Sequence, residues 1–196
     1  MVYIVDDMEQ VQEIIYAILE NEGIPAKKFG SGEAFLAQKE IREIGCLVLD
    51  NQMPGMKGLE VQSELLRRGN NIPILFISGE SRYNDVVDAV REGAFYFLQK
   101  PFTRSELLSQ VREAIQESRT RQKKLKETSH FKSLLDNLTS REKQVYQLVT
   151  EGLTNKVIAE TLDISNGTVE FHRANMMKKL GARSLADLME ISRSLD

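Results

Sequence analysis

The sequence predicts an α/β fold, a five-stranded, doubly wound parallel sheet, followed by an all-α domain of four helices. Three observations lead there. Short apolar runs alternate with longer amphipathic stretches from residue 1 to about 118. Beyond residue 138 only helical periodicity is present. Charge divides the chain in the same way: residues 1–118 hold 12 Lys and Arg against 19 Asp and Glu, and residues 119–196 hold 14 against 10. An acidic first part and a basic second part predict two domains with different partners.

The apolar runs are VYIV (2–5), a weaker PAKKF (25–29), CLVL (46–49), ILFI (74–77) and FYFL (95–98). Runs of this length suit strands covered on both faces, and their alternation with helices indicates a parallel sheet. Val11, Ile14, Ile15, Ile18 and Leu19 recur at helical spacing and predict the first helix. Ser31 is placed to cap the second. Val86, Val87 and Val90 mark a fourth, and Leu107, Leu108, Val111 and Ile115 a fifth, opened by the capping-box pair Thr103 and Glu106. The fifth is expected to run to about Glu127. A loose heptad thread there is broken by Ser118 and Gln122, so residues 119–137 read as a basic, partly helical, solvated linker, with weak helix pairing as the alternative.

The last part opens with a second capping box, Thr139 and Glu142, before Val145, Leu148 and Val149, and Gly152 ends that helix. Thr154 is placed to cap the next, whose apolar face is Ile158, Ala159 and Leu162. DISNGT is a turn. Gly167 and Thr168 then open a third helix to about Leu180, with Gly181 as its stop, and Leu185, Leu188, Met189 and Ile191 predict the fourth. The expected domains are 1–118, the linker 119–137 and 138–196.

Composition narrows the function classes. The 196 residues are 41% apolar and 28% charged, with a net charge of −3, as in ordinary soluble domains. No apolar run approaches the roughly 18 residues of a membrane span. The N-terminus shows no basic region or cleavage pattern of a signal peptide. The single cysteine, Cys46, excludes an internal disulfide framework, fits a reducing cytoplasm and reads as a small buried residue. The positive surplus lies in residues 119–137, with six Lys and Arg against two Asp and Glu, whereas 138–196 holds eight of each. Charge alone therefore argues only weakly that the last domain binds nucleic acid.

In open parallel sheets, ligands bind beyond the carboxyl ends of the strands. Asp6 and Asp7 follow the first strand, Asp50 the third, Ser78 the fourth and Lys100 the fifth. If those strands are neighbours, three carboxylates, a hydroxyl and an ammonium converge. Oxygen ligands without His or Cys suit a hard cation, Mg2+ in the usual case, and such a site is suited to phosphoryl transfer. Asp7 also reads as an N-cap of the first helix.

VDD (5–7), LVLDNQMPGMKGLE (47–60), ISG (77–79) and KPF (100–102) together resemble the receiver domain of bacterial two-component response regulators. The resemblance covers residues 1 to about 118 and implies a flavodoxin-like strand order. It implies that Asp50 accepts a phosphoryl group from a sensor histidine kinase, and that Asp6, Asp7, Asp50 and the backbone carbonyl of Gln52 surround Mg2+. It also implies a cis bond between Lys100 and Pro101. Ser78 would move toward the phosphoryl group while the aromatic three residues before the lysine, here Phe97, turns inward. A plain core phenylalanine is the alternative for Phe97. Tyr96 should face the other way, since strand side chains alternate. Gln52 and Glu80 stand where the family flanks the route of the hydrolytic water. The chain would be no enzyme beyond catalysing its own phosphorylation and dephosphorylation.

LTSRE, EGLTNKVIAETLDIS and TVEFHRANMMKKLGARS, over residues 138–191, resemble the LuxR-type helix-turn-helix DNA-binding domain. With the receiver, the chain is similar to FixJ-type members of the NarL/FixJ family. At 100° per residue, Val169, Met176 and Leu180 share one face, the expected core side. Glu170, Phe171, Ala174 and Lys178 lie opposite. Base contacts are expected from Glu170, Phe171 and Ala174, because a recognition helix presents its N-terminal residues to the major groove. Glu170 is either a specificity element or turned toward a neighbouring Lys or Arg. Phosphate contacts are expected from Thr154, Asn155, Lys156, Thr168, His172, Arg173, Asn175 and Lys178, with a half-buried packing role as the alternative for His172. The expected function is a phosphorylation-dependent transcription factor in the cytoplasm. Its expected partners are a sensor histidine kinase, promoter DNA and a second copy of itself on phosphorylation. RNA polymerase is a further candidate, and no membrane is involved.

Overall fold

A computed structural model describes residues 1–38, 40–41, 44–79, 91 and 93–193. The chain forms two compact units, Met1–Gln122 and Lys123–Asp196.

The first unit holds five strands, β1 (Val2–Val5), β2 (Ala26–Phe29), β3 (Cys46–Asp50), β4 (Ile74–Ser78) and β5 (Tyr96–Gln99). They form one sheet in the order β2-β1-β3-β4-β5, with every pair parallel. The central strands β1, β3 and β4 are buried along their whole length. The edge strands β2 and β5 are not, because Lys27, Lys28, Tyr96 and Gln99 face solvent. That is why PAKKF gives the weaker apolar signal.

Alternate side chains serve two cores. Val2, Ile4, Cys46, Val48, Leu75 and Ile77 pack on one face with Ile15 and Leu19 of α1 (Glu9–Glu20) and Leu107 and Val111 of α4 (Arg104–Asp136). Tyr3, Val5, Leu47, Leu49 and Phe76 pack on the other with Phe35 of α2 (Gly32–Leu36) and Val61 and Leu65 of α3 (Gly58–Arg67). This is the doubly wound arrangement. Burial pushes the Cys46 thiol up to about 12, so it stays protonated and inert at neutral pH.

The expected fourth helix, at Val86, Val87 and Val90, lies outside the described residues, and α4 corresponds to the expected fifth. Its N-terminus closes as a reciprocal capping box: the Thr103 N–H donates to Glu106 at 2.7 Å, and the Glu106 N–H to the Thr103 hydroxyl at 3.3 Å. It ends at Asp136, well past the expected Glu127. Ser118, which breaks the heptad thread, is buried with its hydroxyl satisfied. It accepts from the Gly45 N–H at 3.0 Å and donates to the Ile115 carbonyl at 2.9 Å. Ile14, expected on the core face of α1, is exposed instead. It sits about 90° around the helix from the centre of the face that Ile15, Ile18 and Leu19 define.

Helix α3 begins without a side-chain cap. Lys57 occupies its N-cap position, exposed, and only Glu60 closes back on the Lys57 N–H, at 2.7 Å. A cation there opposes the helix dipole. Lys57→Ser is therefore expected to stabilise the first unit by about 1 kcal/mol, raising its melting temperature by several degrees in a calorimetric scan.

The second unit contains the end of α4 and four more helices: α5 (Ser140–Thr150), α6 (Asn155–Leu162), α7 (Asn166–Leu180) and α8 (Leu185–Arg193). Val145, Val149, Ile158, Val169, Met176, Leu180, Leu188 and Ile191 form its core, against which Phe131, Leu134 and Leu135 pack. The Thr139–Glu142 capping box is present, and the Glu142 carboxylate also accepts from Lys179 at 2.6 Å. Thr154 stands at the N-cap of α6 but makes no side-chain capping bond. The turn to α7 is three residues long, with Asp163 at φ 53° and Ser165 accepting from the Thr168 N–H at 3.1 Å. Ser165, rather than Gly167, therefore opens α7. Gly181 closes it at φ 69°.

Candidate functional site

Because the sheet is parallel, β1, β3, β4 and β5 end at one edge, and Asp6, Asp50, Ser78 and Lys100 stand there. The Lys100 ammonium donates to Asp6 Oδ2 at 2.8 Å and to Asp50 Oδ1 at 3.0 Å. Both carboxylates are buried, Asp6 completely and Asp50 to 5% exposure. The backbone holds their other oxygens: the Met8 N–H donates to Asp6 Oδ1 at 2.9 Å and the Gln52 N–H to Asp50 Oδ2 at 3.1 Å. The peptide bond between Lys100 and Pro101 is cis. The Lys100 N–H also donates to the Ser78 carbonyl at 2.8 Å, continuing the β4–β5 ladder into the site.

Burial holds the Asp50 carboxyl above its ordinary value, and the Asp6 charge adds to that, against the lowering effect of Lys100. Burial works to lower Lys100, but the Asp6 and Asp50 carboxylates together hold its ammonium above the ordinary value. The Ser78 hydroxyl is fully buried and has no hydrogen-bond partner among the described residues. A buried polar atom without a partner costs about 1–3 kcal/mol. It fits a polar ligand such as a phosphoryl oxygen.

Asp7 departs from expectation as a helix cap. Met8, not Asp7, is the N-cap of α1, and the Met8 N–H is taken by Asp6. Asp7 is also exposed, and among the described residues no group of three or more His, Cys, Asp or Glu stands where it could hold a metal ion. Like charges repel, and here the two buried carboxylates share one ammonium while the third stays in solvent. The donor chemistry still fits a hard ion. Mg2+ is commonly held by one or two carboxylates together with waters and phosphate oxygens. Asp6, Asp50 and the loop carrying Gln52 offer oxygen alone.

Several neighbours hold the site in place. Gln12, nearly buried in α1, donates to the Asp6 carbonyl at 2.6 Å. Glu33, at the start of α2, accepts from the Met56 N–H at 2.9 Å and so ties down the loop after Asp50. At Gly58 a Cβ would lie 2.6 Å from the Asp50 carbonyl oxygen and 2.9 Å from Phe76, so only glycine lets α3 start this close to the site. The sequence reading missed these three residues, whose roles appear only once the strand ends and the loops after them are folded together. Phe97 is half-buried and stacks on Phe76, centroids 6.2 Å apart, whereas Tyr96 is 44% exposed. Glu80 lies outside the described residues.

In the second unit, Val169, Met176 and Leu180 are buried, as the helical spacing predicts. Glu170, Phe171, Ala174 and Lys178 are exposed, and Phe171 shows 64% of its surface to solvent. Among the described residues Glu170 forms no ion pair, so no neighbouring Lys or Arg draws it away. Thr154 and Lys156 are exposed, and Asn155, Thr168, His172, Arg173 and Asn175 are half-buried. Arg173 donates to Asn155 Oδ1 at 2.8 Å, clipping α7 to α6, and Thr168 lies 2.8 Å from the Ser165 hydroxyl.

Residues 2–112 match the response regulator receiver domain family, and residues 136–192 match the bacterial regulatory proteins of the luxR family. The response regulator TmoT of Ectopseudomonas mendocina is 38% identical over all of this chain and 89% of its own length. The transcriptional regulatory protein FixJ of Rhizobium meliloti is 37% identical over 97% of this chain and 94% of its own. Among solved structures, the response regulator StyR superposes with a TM-score of 0.83 at 38% identity, covering 98% of this chain and 97% of that one. Full-length FixJ from B. japonicum does so with a TM-score of 0.61 at 31% identity, covering 99% and 96%. The chain therefore belongs to the NarL/FixJ family of two-component response regulators, transcriptional regulators that join a receiver domain to a LuxR-type DNA-binding domain.

Proposed function

We propose that Asp50 is the phosphoacceptor and that its phosphorylation by a sensor histidine kinase controls DNA binding by α7. The observation that carries this reading is the buried Asp50–Lys100–Asp6 junction at the strand ends, with the unpartnered Ser78 hydroxyl on the adjoining strand.

In the proposed transfer, an Asp50 carboxylate oxygen attacks phosphorus. The new bond makes an acyl phosphate while the bond from phosphorus to the donor imidazole nitrogen breaks, and the imidazole leaves with its electron pair. Lys100 already hydrogen-bonds Asp50 and neutralises charge gained on the phosphoryl oxygens. Asp6, Asp50 and the Gln52 carbonyl, with Asp7 at the exposed rim, would hold Mg2+, which supplies further neutralisation when bound. The Ser78 hydroxyl donates to a phosphoryl oxygen, satisfying its buried oxygen. Phe97, stacked on Phe76, moves inward with it. Gln52 and Glu80 flank the hydrolytic route, so the chain catalyses only its own phosphorylation and dephosphorylation.

The reading places the receiver at 1–118, the linker at 119–137 and the DNA-binding domain at 138–196, in a cytoplasmic protein that forms a homodimer on phosphorylation. Among the described residues no helix is long and apolar enough to cross a membrane. Glu170, Phe171 and Ala174, all exposed on α7, read bases. Thr154, Asn155, Lys156, Thr168, His172, Arg173, Asn175 and Lys178 meet phosphates, fixing register rather than sequence. RNA polymerase is a candidate partner at the promoter.

The test is to incubate the protein with a small phosphodonor, with and without Mg2+, and map the base-labile, hydroxylamine-sensitive phosphoryl group by peptide mass spectrometry. Mg2+-dependent label on Asp50 is expected. Label on another residue contradicts the reading. Glu33→Ala frees the loop after Asp50 and is expected to slow labelling several-fold while leaving the first unit folded by circular dichroism. Glu33→Gln, which keeps an acceptor for the Met56 N–H, should recover most of the rate.

A further inference from the structure

We propose that the basic stretch of α4 is a second DNA contact, in which Lys123, Lys124 and Lys126 hold backbone phosphates outside the segment that α7 reads. The inference rests on DNA binding by the second unit and adds to it a surface distinct from the helix-turn-helix.

It begins with a charge deficit. A protein gains sequence-independent DNA affinity by neutralising phosphates with Lys and Arg and releasing counterions. Residues 138–196 hold eight basic and eight acidic side chains, so the helix-turn-helix segment alone has no surplus to offer. The surplus lies just before it, with six basic against two acidic residues in 119–137.

The structure gives that surplus a rigid mount. Residues 123–136 are helical and belong to the second unit. Phe131, Leu134 and Leu135 anchor the last turns of α4 against the core built by α5 to α8. At 100° per residue, Lys123, Lys126 and His130 share a face about 100° around the helix from those three anchors, and Lys124 lies on the anchors' side, two turns before Phe131. All four basic residues are exposed.

Little competes for these cations. Among the described residues Lys124 and Lys126 form no ion pair. Lys123 reaches only Glu127, at 3.8 Å, with side chains 79% and 53% exposed. A pair so open to water contributes little. The three lysines lie within about 4.5 Å of helix rise, and a DNA strand carries a charge about every 3.4 Å of its axis. Lysines suit this task, since they present point charges without base selectivity.

The test compares the full-length protein with a Lys123→Gln, Lys124→Gln, Lys126→Gln variant. Glutamine keeps helix propensity while removing charge. Binding to a mixed-sequence duplex of about 30 base pairs is followed by fluorescence anisotropy from about 50 to about 200 mM salt, where the electrostatic share is read as a slope. Loss of three phosphate contacts is expected to flatten the plot of log affinity against log salt by roughly 2–3. It should also weaken low-salt binding at least tenfold and leave the preference between two unlike duplexes unchanged. Glu127→Lys should steepen the slope by about 1. Parallel plots for all three proteins overturn the proposal and leave a merely solvated helix. So does an unchanged DNA slope accompanied by lost binding to phosphatidylserine vesicles, which would assign the surface to a membrane. No duplex binding by the unaltered protein overturns the DNA-binding reading itself, and this proposal with it.

Discussion

Asp50→Asn is expected to abolish phosphoryl uptake and, with it, any gain in DNA affinity that a phosphodonor produces in the unaltered protein. An amide is no nucleophile for this transfer, and among the described residues no other carboxylate shares the Lys100 ammonium with Asp6. The loss should be total in a label-incorporation assay. In a gel-shift titration the unaltered protein should gain about 10- to 100-fold, the range in which a coupling of 1–3 kcal/mol shifts a two-state equilibrium. The substitution should not unfold the receiver. Burial holds the Asp50 carboxyl above its ordinary value, so its charged form costs stability. Removing that charge should leave the melting temperature unchanged or higher, and this separates a loss of chemistry from a loss of fold. Residual label on the variant, at a comparable rate, would move the acceptor elsewhere.

Lys100→Met should have the second-largest effect, on stability as well as chemistry. It leaves the Asp6 and Asp50 carboxylates buried and facing each other without a counter-charge. Breaking a buried pair by removing one partner costs about 3–5 kcal/mol, and the 21% exposure of Lys100 places the expectation near 3 kcal/mol. Chemical denaturation of the first unit measures it. The pH dependence follows from the raised Lys100 value. A lysine whose folded value lies above its ordinary 10.5 stabilises fully below 10.5, and that share is lost as pH rises through the folded value. The unaltered receiver should therefore shed stability above pH 10.5, and the variant should lack that component. The variant should instead gain as pH falls into the carboxylate range and Asp50 takes up a proton. A flat acid limb in Lys100→Met would show that the two carboxylates do not oppose each other.

The central strands were legible in the sequence because β1, β3 and β4 are buried on both faces, so nothing interrupts their apolar runs. β2 was faint because, as an edge strand, it carries Lys27 and Lys28 to solvent. The core face of α7 followed from helical spacing alone, since Val169, Met176 and Leu180 fall on one side and no tertiary knowledge is needed to group them. The length of α4 did not follow. Residues 119–130 lack an apolar stripe, and only high intrinsic helix propensity and the anchoring of Phe131, Leu134 and Leu135 carry the helix through. Asp7 was misplaced as a cap because sequence order does not reveal which of two adjacent aspartates turns back on the Met8 N–H. Glu33 and Gln12 were missed for a related reason. Each is an ordinary polar residue on a short or amphipathic helix, and its contact with the site exists only once the loop after Asp50 and the end of β1 are folded beside it. The charge distribution was legible, but its mounting on the second unit required the packing of α4.

A phosphoryl group on Asp50 is proposed to change DNA binding by a unit that contains no residue of the receiver. The most direct measurement is the affinity of the full-length protein for its promoter DNA before and after stoichiometric phosphorylation, at fixed salt, with Asp50→Asn treated identically. Tighter binding is expected for the phosphorylated protein, and one unchanged affinity for Asp50→Asn. Equal affinities for the phosphorylated and unphosphorylated protein would contradict it.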